Sequence, residues 1–325
     1  NTRFYQNTQP FLVSSTTAAG NLTIGYQTSA VIDANGGLYN TGVGYQALGN
    51  ATSTDYNTAL GYQALLGSAT VSNTGYNTAV GYSALRVNTA GYNNTAVGRD
   101  ALRLNTSGYN NTANGMSALY SNTSGYNNTA NGAYALRYNT IGYDNTAVGN
   151  DSLYYNTTGY DNTAVGYAAL SSTRTGTNNS IVGRYALYYN TSATSTTALG
   201  AMAAQGAANY NNQGGVYLGY QAGYSAQTGS DYNTLLGYNS GYGVTTGARN
   251  VLIGQSTIAA SYNQVTTGSN NIAIGNDVAV ASPTASNQLN IGNLIFGTNL
   301  NGTGTTLSTG NIGIGTTTPY AKLSV

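Results

Sequence analysis

The side chains that could carry chemistry in this 325-residue chain are 8 aspartates and 31 tyrosines. Proton transfer, nucleophilic attack and metal binding draw mainly on His, Glu, Asp, Lys, Tyr and Cys. The sequence has no His, no Cys and no Glu, and Lys322 is its only lysine. Asp33, Asp55, Asp100, Asp144, Asp151, Asp161, Asp231 and Asp277 are scattered, and Asp144 and Asp161 simply replace an Asn in a recurring Gly-Tyr-Asn turn. No pair has a spacing that suggests the two carboxylates of a polysaccharide-cleaving site. Cys/His metal sites are impossible, and the calcium-binding nonapeptide is absent. The glycine-rich stretches GYGVTTG and GNIGIG lack the dinucleotide fingerprint and its strand–helix context. These residues predict a protein that is not an enzyme and needs no cofactor or metal.

Tyrosines remain the candidates for contact. Tyr76, Tyr92, Tyr109, Tyr126, Tyr143 and Tyr160 recur after a turn glycine. They could stack into a ladder that braces the turns, or offer an aromatic surface to glycans, cell surfaces or neighbouring fibres, where repetition multiplies weak contacts. Only 5% of the residues are charged and the net charge is +1, so nothing electrostatic calls for nucleic acid or an anionic membrane. No apolar run approaches the roughly 18–20 residues of a spanning helix. A surface poor in Lys and Glu suits an extracellular or cell-surface location. A start at Asn1 fits either a leader that has been removed or a fragment, of which the low Lys and Glu content favours removal.

The elements that must position these side chains follow from a repeat. Gly81, Gly98, Gly115, Gly132, Gly149, Gly166, Gly183 and Gly200 stand 17 residues apart. Gly25, Gly44 and Gly61 before them, and Gly219, Gly237, Gly254, Gly275 and Gly292 after them, continue the register with small insertions, giving 16 coils. A fixed short period marks a solenoid, in which no repeat can bury its apolar face alone. Seventeen residues are too few for two helices and a turn, and Gly, Asn and Thr at fixed offsets are poor helix formers. The pattern therefore predicts an all-β parallel solenoid, a β-roll or β-helix, with two short strands per coil and a rise of about 4.8 Å. At that rise the coils would stack into a rod of roughly 75 Å. Residues 21–296 form the repeat domain, and 1–20 and 297–325 are non-repeat segments that cap it or join subunits.

The residue before each marker glycine is aliphatic in 14 of the 16 coils. Val80, Val97, Val148 and Val165 belong to this column, which is therefore expected to point into the roll. Leu85, Leu102, Leu119 and Leu136 supply a second inward strand. Ala79, Ala96, Ala113, Ala130, Ala147 and Ala164 then form an outer strip of small residues against which another copy could approach. Asn114 and Asn131 interrupt the aliphatic column in successive coils. As buried amides they would pair into a short ladder that pins coil register; alternatively the column faces an oligomer axis there and binds water or an anion.

The stretch NNIAIGNDVAVAS, residues 270–282, resembles the head repeat of trimeric autotransporter adhesins, with Asn271, Ala273, Ile274 and Gly275 on the family's pattern. NNTAVG at 93–98 is a looser version. The resemblance implies a left-handed parallel β-roll, assembled as a homotrimer outside the cell to bind surfaces. The 17-residue unit is longer than the family's usual one, and no stalk or anchoring barrel is visible. GNIGIGTTTPYAKLSV, residues 310–325, is similar to the segment preceding the self-cleaving chaperone of phage tail fibres, which would place the chain on a virion surface.

These readings converge on a self-associating structural or adhesive fibre or filament subunit. A phage fibre shaft and an ice-binding solenoid are the alternatives. For the latter, Thr95, Thr112, Thr129, Thr146 and Thr163 form a regular column, although its strand parity matches the supposed core valines and predicts that it points inward.

Overall fold

The computed structural model describes residues 3–6, 9–13, 20–28, 37–50, 55–67, 75–207, 209–256 and 265–325. The chain divides into two units, Asn1–Asn162 and Thr163–Val325. Both are all-β parallel solenoids, and no helix occurs among the described residues. None of them forms a helix long and apolar enough to cross a membrane.

In the first unit, β1 (Arg3–Gln6) and β2 (Gln9–Val13) pair antiparallel, and β2 pairs antiparallel with β3 (Leu22–Ile24). Parallel stacking then runs through β4 (Thr41–Val43), β5 (Thr58–Leu60), β6 (Thr78–Val80), β7 (Thr95–Val97), β8 (Thr112–Asn114), β9 (Thr129–Asn131) and β10 (Thr146–Val148). Each of these strands is three residues long, and every repeat position pairs with its counterpart in the next coil.

Two expectations need correction. The first concerns which side of the strand faces inward. Ala79, Ala96, Ala113, Ala130 and Ala147 are wholly buried, whereas Val97, Asn114 and Asn131 are exposed and Val80 and Val148 half-buried. Val165 is likewise half-buried in the second unit. The strand thus turns its alanine inward and its flanking residues outward, and the buried Asn114–Asn131 ladder does not exist. The reason is volume. Along β6 to β10 each strand faces a wholly buried leucine and two rows of buried asparagine, against which an alanine packs.

The second correction concerns that leucine. Leu85, Leu102, Leu119 and Leu136 are wholly buried but lie in a turn, with φ of 50°, 49°, 51° and 52°. A left-handed conformation costs a leucine roughly 1–2 kcal/mol. Burying the side chain returns about 1.5–3 kcal/mol. The turn also keeps its ladder: Leu102 N–H donates to the Ala118 carbonyl at 3.0 Å, one coil on. The marker glycines open this turn. Gly98 has φ of 138°, and a Cβ there would lie 2.5 Å from the carbonyl oxygen of Gly115, so only glycine fits.

Two internal rows of asparagine complete the core. Asn77, Asn94, Asn111, Asn128, Asn145 and Asn162 precede successive strands, and Asn88, Asn105, Asn122, Asn139 and Asn156 close the opposite turn; all are buried. Asn111 accepts the Asn128 backbone N–H at 3.0 Å, and its amide donates to Asn94 Oδ1 at 3.1 Å and the Gly125 carbonyl at 2.9 Å. Asn105 Nδ2 bridges Asn88 Oδ1 at 2.8 Å and the Gly108 carbonyl at 3.0 Å. Each amide is bonded to a neighbouring coil, which removes the desolvation penalty of about 1–3 kcal/mol per unmet group, except at Asn156, whose Oδ1 is buried without a partner where Thr173 replaces the next asparagine of the row.

The second unit repeats the plan in β11 (Thr163–Val165), β12 (Ser180–Val182), β13 (Thr197–Leu199), β14 (Val216–Leu218), β15 (Thr234–Leu236), β16 (Val251–Ile253), β17 (Ile272–Ile274) and β18 (Leu289–Ile291), all parallel. Antiparallel β19 (Ile295–Thr298) and β20 (Asn311–Ile314) follow, with β21 (Leu323–Ser324) parallel to β20. The boundary expected at residue 296 falls inside β19. Here the core trades volumes between strand and turn. Where Ala and Leu meet in the first unit, Tyr217 meets Gly223 and Leu235 meets Gly241. A Cβ on Gly223 would lie 2.6 Å from Tyr217 Cδ1, and one on Gly241 2.7 Å from Leu235 Cδ1.

Candidate interaction surfaces

The outward side of the strands is the first surface. In the first unit its two columns are Thr41, Thr58, Thr78, Thr95, Thr112, Thr129 and Thr146, in unbroken register, and Val43, Leu60, Val80, Val97, Asn114, Asn131 and Val148. Thr95, Thr112 and Thr129 are exposed, as is Thr163 in the second unit, and Thr146 is half-buried. The threonine column expected to point inward therefore points outward, because it shares its side with the displaced valines. No outward position of β3 to β10 is charged. Leu60 is 48% exposed, and in the second unit Leu199 is 53% exposed. An aliphatic row of this kind sits in water only at the expense of roughly 25 cal/mol for each Å² of apolar area.

Tyrosines make the second surface. Tyr92, Tyr109, Tyr126, Tyr143 and Tyr160 stack with centroids 5.0, 5.0, 4.9 and 4.8 Å apart and ring planes within 6° of parallel. Tyr76 continues a second stack from Tyr39 and Tyr56. The spacing equals the strand spacing, so the coil rise itself dictates the stack. Tyr39, Tyr56, Tyr76 and Tyr92 are exposed, and Tyr109, Tyr126, Tyr143 and Tyr160 are half-buried. Rings inside the ladder have both faces covered by neighbours, so they present edges and hydroxyls outward. Sugar stacking, which uses a ring face, has access only at the ends of such a row. Proton loss from Tyr126 and Tyr143 is disfavoured, first by desolvation and then by repulsion from the adjacent phenols and from Asp144 and Asp161.

A third cluster lies on the leucine turns. Arg103 Nη1 donates to the Tyr120 hydroxyl and Arg137 Nη1 to that of Tyr154, each at 2.9 Å. The Arg137 guanidinium stands 5.2 to 5.9 Å from the ring centres of Tyr134, Tyr138, Tyr154 and Tyr120. Burial opposes its charge, but the bond to Tyr154 and the surrounding phenols outweigh that and raise its pKa. Asp151 nearby is also raised, by burial, with Arg137 pulling the other way. Arg103 also lies 3.6 Å from Asp100. The arginines stand two coils apart, at 103 and 137, with tyrosine at 120 and 154, a 17-residue column readable in sequence though not singled out there. The cations are consumed internally, which makes this a brace for the turns.

The described aspartates are placed by turns rather than by one another. Asp55 accepts the Leu38 N–H at 2.7 Å, Asp144 the Asn127 amide at 2.9 Å and Asp231 the Gln213 N–H at 2.9 Å. Asp33 lies outside the described residues. Among the described residues no three metal-ligating side chains cluster. The buried asparagine rows went unrecognised as core, although their signal is present: the second Asn of Gly-Tyr-Asn-Asn does not change where the first becomes Asp144 or Asp161. No protein-family model, no curated protein and no solved structure matches this chain.

Proposed function

We propose that this chain is a non-enzymatic extracellular fibre or filament subunit, structural or adhesive, that assembles with copies of itself through the outward strand face. One observation carries the reading: the column that is aliphatic in 14 of 16 coils lies outside the solenoid, with none of its members buried. An uncharged row of exposed aliphatic side chains is an association surface. Self-association would remove it from water without the desolvation of any charge. The adhesin-head and tail-fibre resemblances and the low charge support an extracellular setting, at a cell or virion surface.

Leu60→Asp tests the assembly. The side chain is solvent-exposed in the single chain, so circular dichroism should be unchanged, while a buried charge in the interface should weaken association at least tenfold, as measured by sedimentation. A wild-type chain that stays monomeric at every concentration would end the proposal. The outward threonine column favours a second reading, in which the same face orders water and binds ice. Thermal hysteresis at micromolar protein would support it; freezing indistinguishable from that of an inert protein would remove it.

A further inference from the structure

We infer that Asn114 and Asn131 set the alignment of copies of this chain, so that the strand faces of the first unit pack parallel and in register with amide against amide. The inference rests on the self-association proposed above and adds the rule that orients it.

The outward columns of β3 to β10 present a problem of specificity. The threonine column repeats the same residue from Thr41 to Thr146, and the aliphatic column is nearly as uniform. A uniform face offers almost the same contacts after sliding by one coil, about 4.8 Å, as before it. Charges cannot fix the alignment, because this face has none. The polar interruption of the aliphatic column is Asn114 and Asn131, paired in register on adjacent strands and both exposed.

Their hydrogen bonding sets them apart. In the neighbouring exposed column Asn93 donates to Asn110, Asn110 to Asn127 and Asn127 to Asp144, at 3.2, 3.2 and 2.9 Å. The buried rows are bonded likewise. The side chains of Asn114 and Asn131, alone among these rows, bond to no other described residue, so their donors and acceptors are held outward.

Burying such an amide against a methyl group leaves it unpaired, whereas burying it against another amide pairs it. A slip of one coil sets Asn against Val on both sides of the notch. An amide in an otherwise apolar seam selects register by this logic at some loss of affinity. Antiparallel packing centred on the notch also brings Asn114 opposite Asn131. It overlaps only β7 to β10 within this unit, however, while parallel packing overlaps all of β3 to β10. The greater buried area favours the parallel arrangement.

The chain contains no cysteine, so single Asn114→Cys, Asn131→Cys and Val97→Cys variants can be joined with a short thiol-to-thiol crosslinker. Asn114→Cys and Val97→Cys should each join to themselves, and co-expressed, differently tagged Asn114→Cys and Asn131→Cys chains should give predominantly like-with-like products. Adding Asn114→Val and Asn131→Val to the Val97→Cys chain should tighten association roughly tenfold. Co-expression of that chain with a Val80→Cys chain carrying the same two valines should then yield mixed products that are rare when the asparagines are present. Predominantly mixed Asn114→Cys/Asn131→Cys products would show antiparallel packing and overturn the inference. So would an unchanged crosslink pattern once both asparagines are valine. If the chains do not associate at all, the self-association proposal itself fails, which sedimentation separates from a failure of register alone.

Discussion

Asn111→Asp is expected to destabilise the first unit by about 3–5 kcal/mol at neutral pH and by much less in acid. The oxygen that replaces Nδ2 would face Asn94 Oδ1 and the Gly125 carbonyl, two acceptors now receiving hydrogen bonds at 3.1 and 2.9 Å. The site is wholly buried. Burial and acceptor repulsion both raise the carboxyl pKa in the folded state above its unfolded value of about 3.9. Below that value both states are protonated, and the acid hydroxyl can still donate one bond. As pH rises from there toward the folded pKa only the unfolded chain ionises, so stability falls across that interval and then levels off. Urea unfolding at pH 3 and pH 7 measures the difference; an equal loss at both would refute the argument. Asn110→Asp is the control, since Asp144 occupies the same exposed column naturally and accepts from Asn127. It should change stability by no more than about 0.5 kcal/mol.

The second large effect is expected in the second unit. Tyr217→Ala removes a wholly buried ring and leaves the Asn212 amide, which donates to the Tyr217 hydroxyl at 2.7 Å, without that acceptor. A loss of about 3–5 kcal/mol follows from the cavity. Gly223→Leu alone forces a side chain into the space of Tyr217, costing about 1–3 kcal/mol or more. Together the two substitutions recreate the Ala–Leu pair of the first unit. Gly223 already has φ of 66°, close to the 50° that Leu85 adopts, so the backbone is ready for the change. The double variant should recover more than half of the stability lost by Tyr217→Ala, a coupling of about 2 kcal/mol or more. Additive losses would mean that strand and turn do not share one volume. Hydroxyl bonding is not restored by the swap, so full recovery is not expected.

The same pair of units shows how far the sequence could be read. The period, the parallel stacking and the glycine and asparagine punctuation were legible because each is a repeating backbone requirement. The face of the strand was not. In Thr-Ala-Val, alternation permits either the alanine or its neighbours to point inward, and hydropathy alone favours the valine. Coil volume decides, and it depends on Leu102 and Asn111 arriving from other parts of the repeat. A clue was available: a column that accepts Asn at 114 and 131 without compensation is an outer one, whereas alanine holds from 79 to 164 without a break. The leucine turn was illegible for a different reason. A left-handed leucine is locally unfavourable, and only its burial in the stacked structure makes it stable.

Among the tyrosine columns, periodicity located the candidate site but could not tell ring edges from ring faces. That distinction comes from the coil rise, which sets ring centroids 4.8 to 5.0 Å apart, within the range of offset stacking, so that each inner ring has a neighbour on both faces.

The buried asparagine rows carry a consequence for how such a chain changes over generations. Each amide bonds within its own turn or to the coil before and the coil after, so removing or adding one complete 17-residue copy inside the run leaves every surviving amide with a partner of the same kind. Near-identical copies in the gene invite unequal recombination, and its products would fold without further adjustment. Length is then the most freely inherited property of this protein, varied in whole steps by duplication and loss, while the chemistry of each step stays under strict constraint.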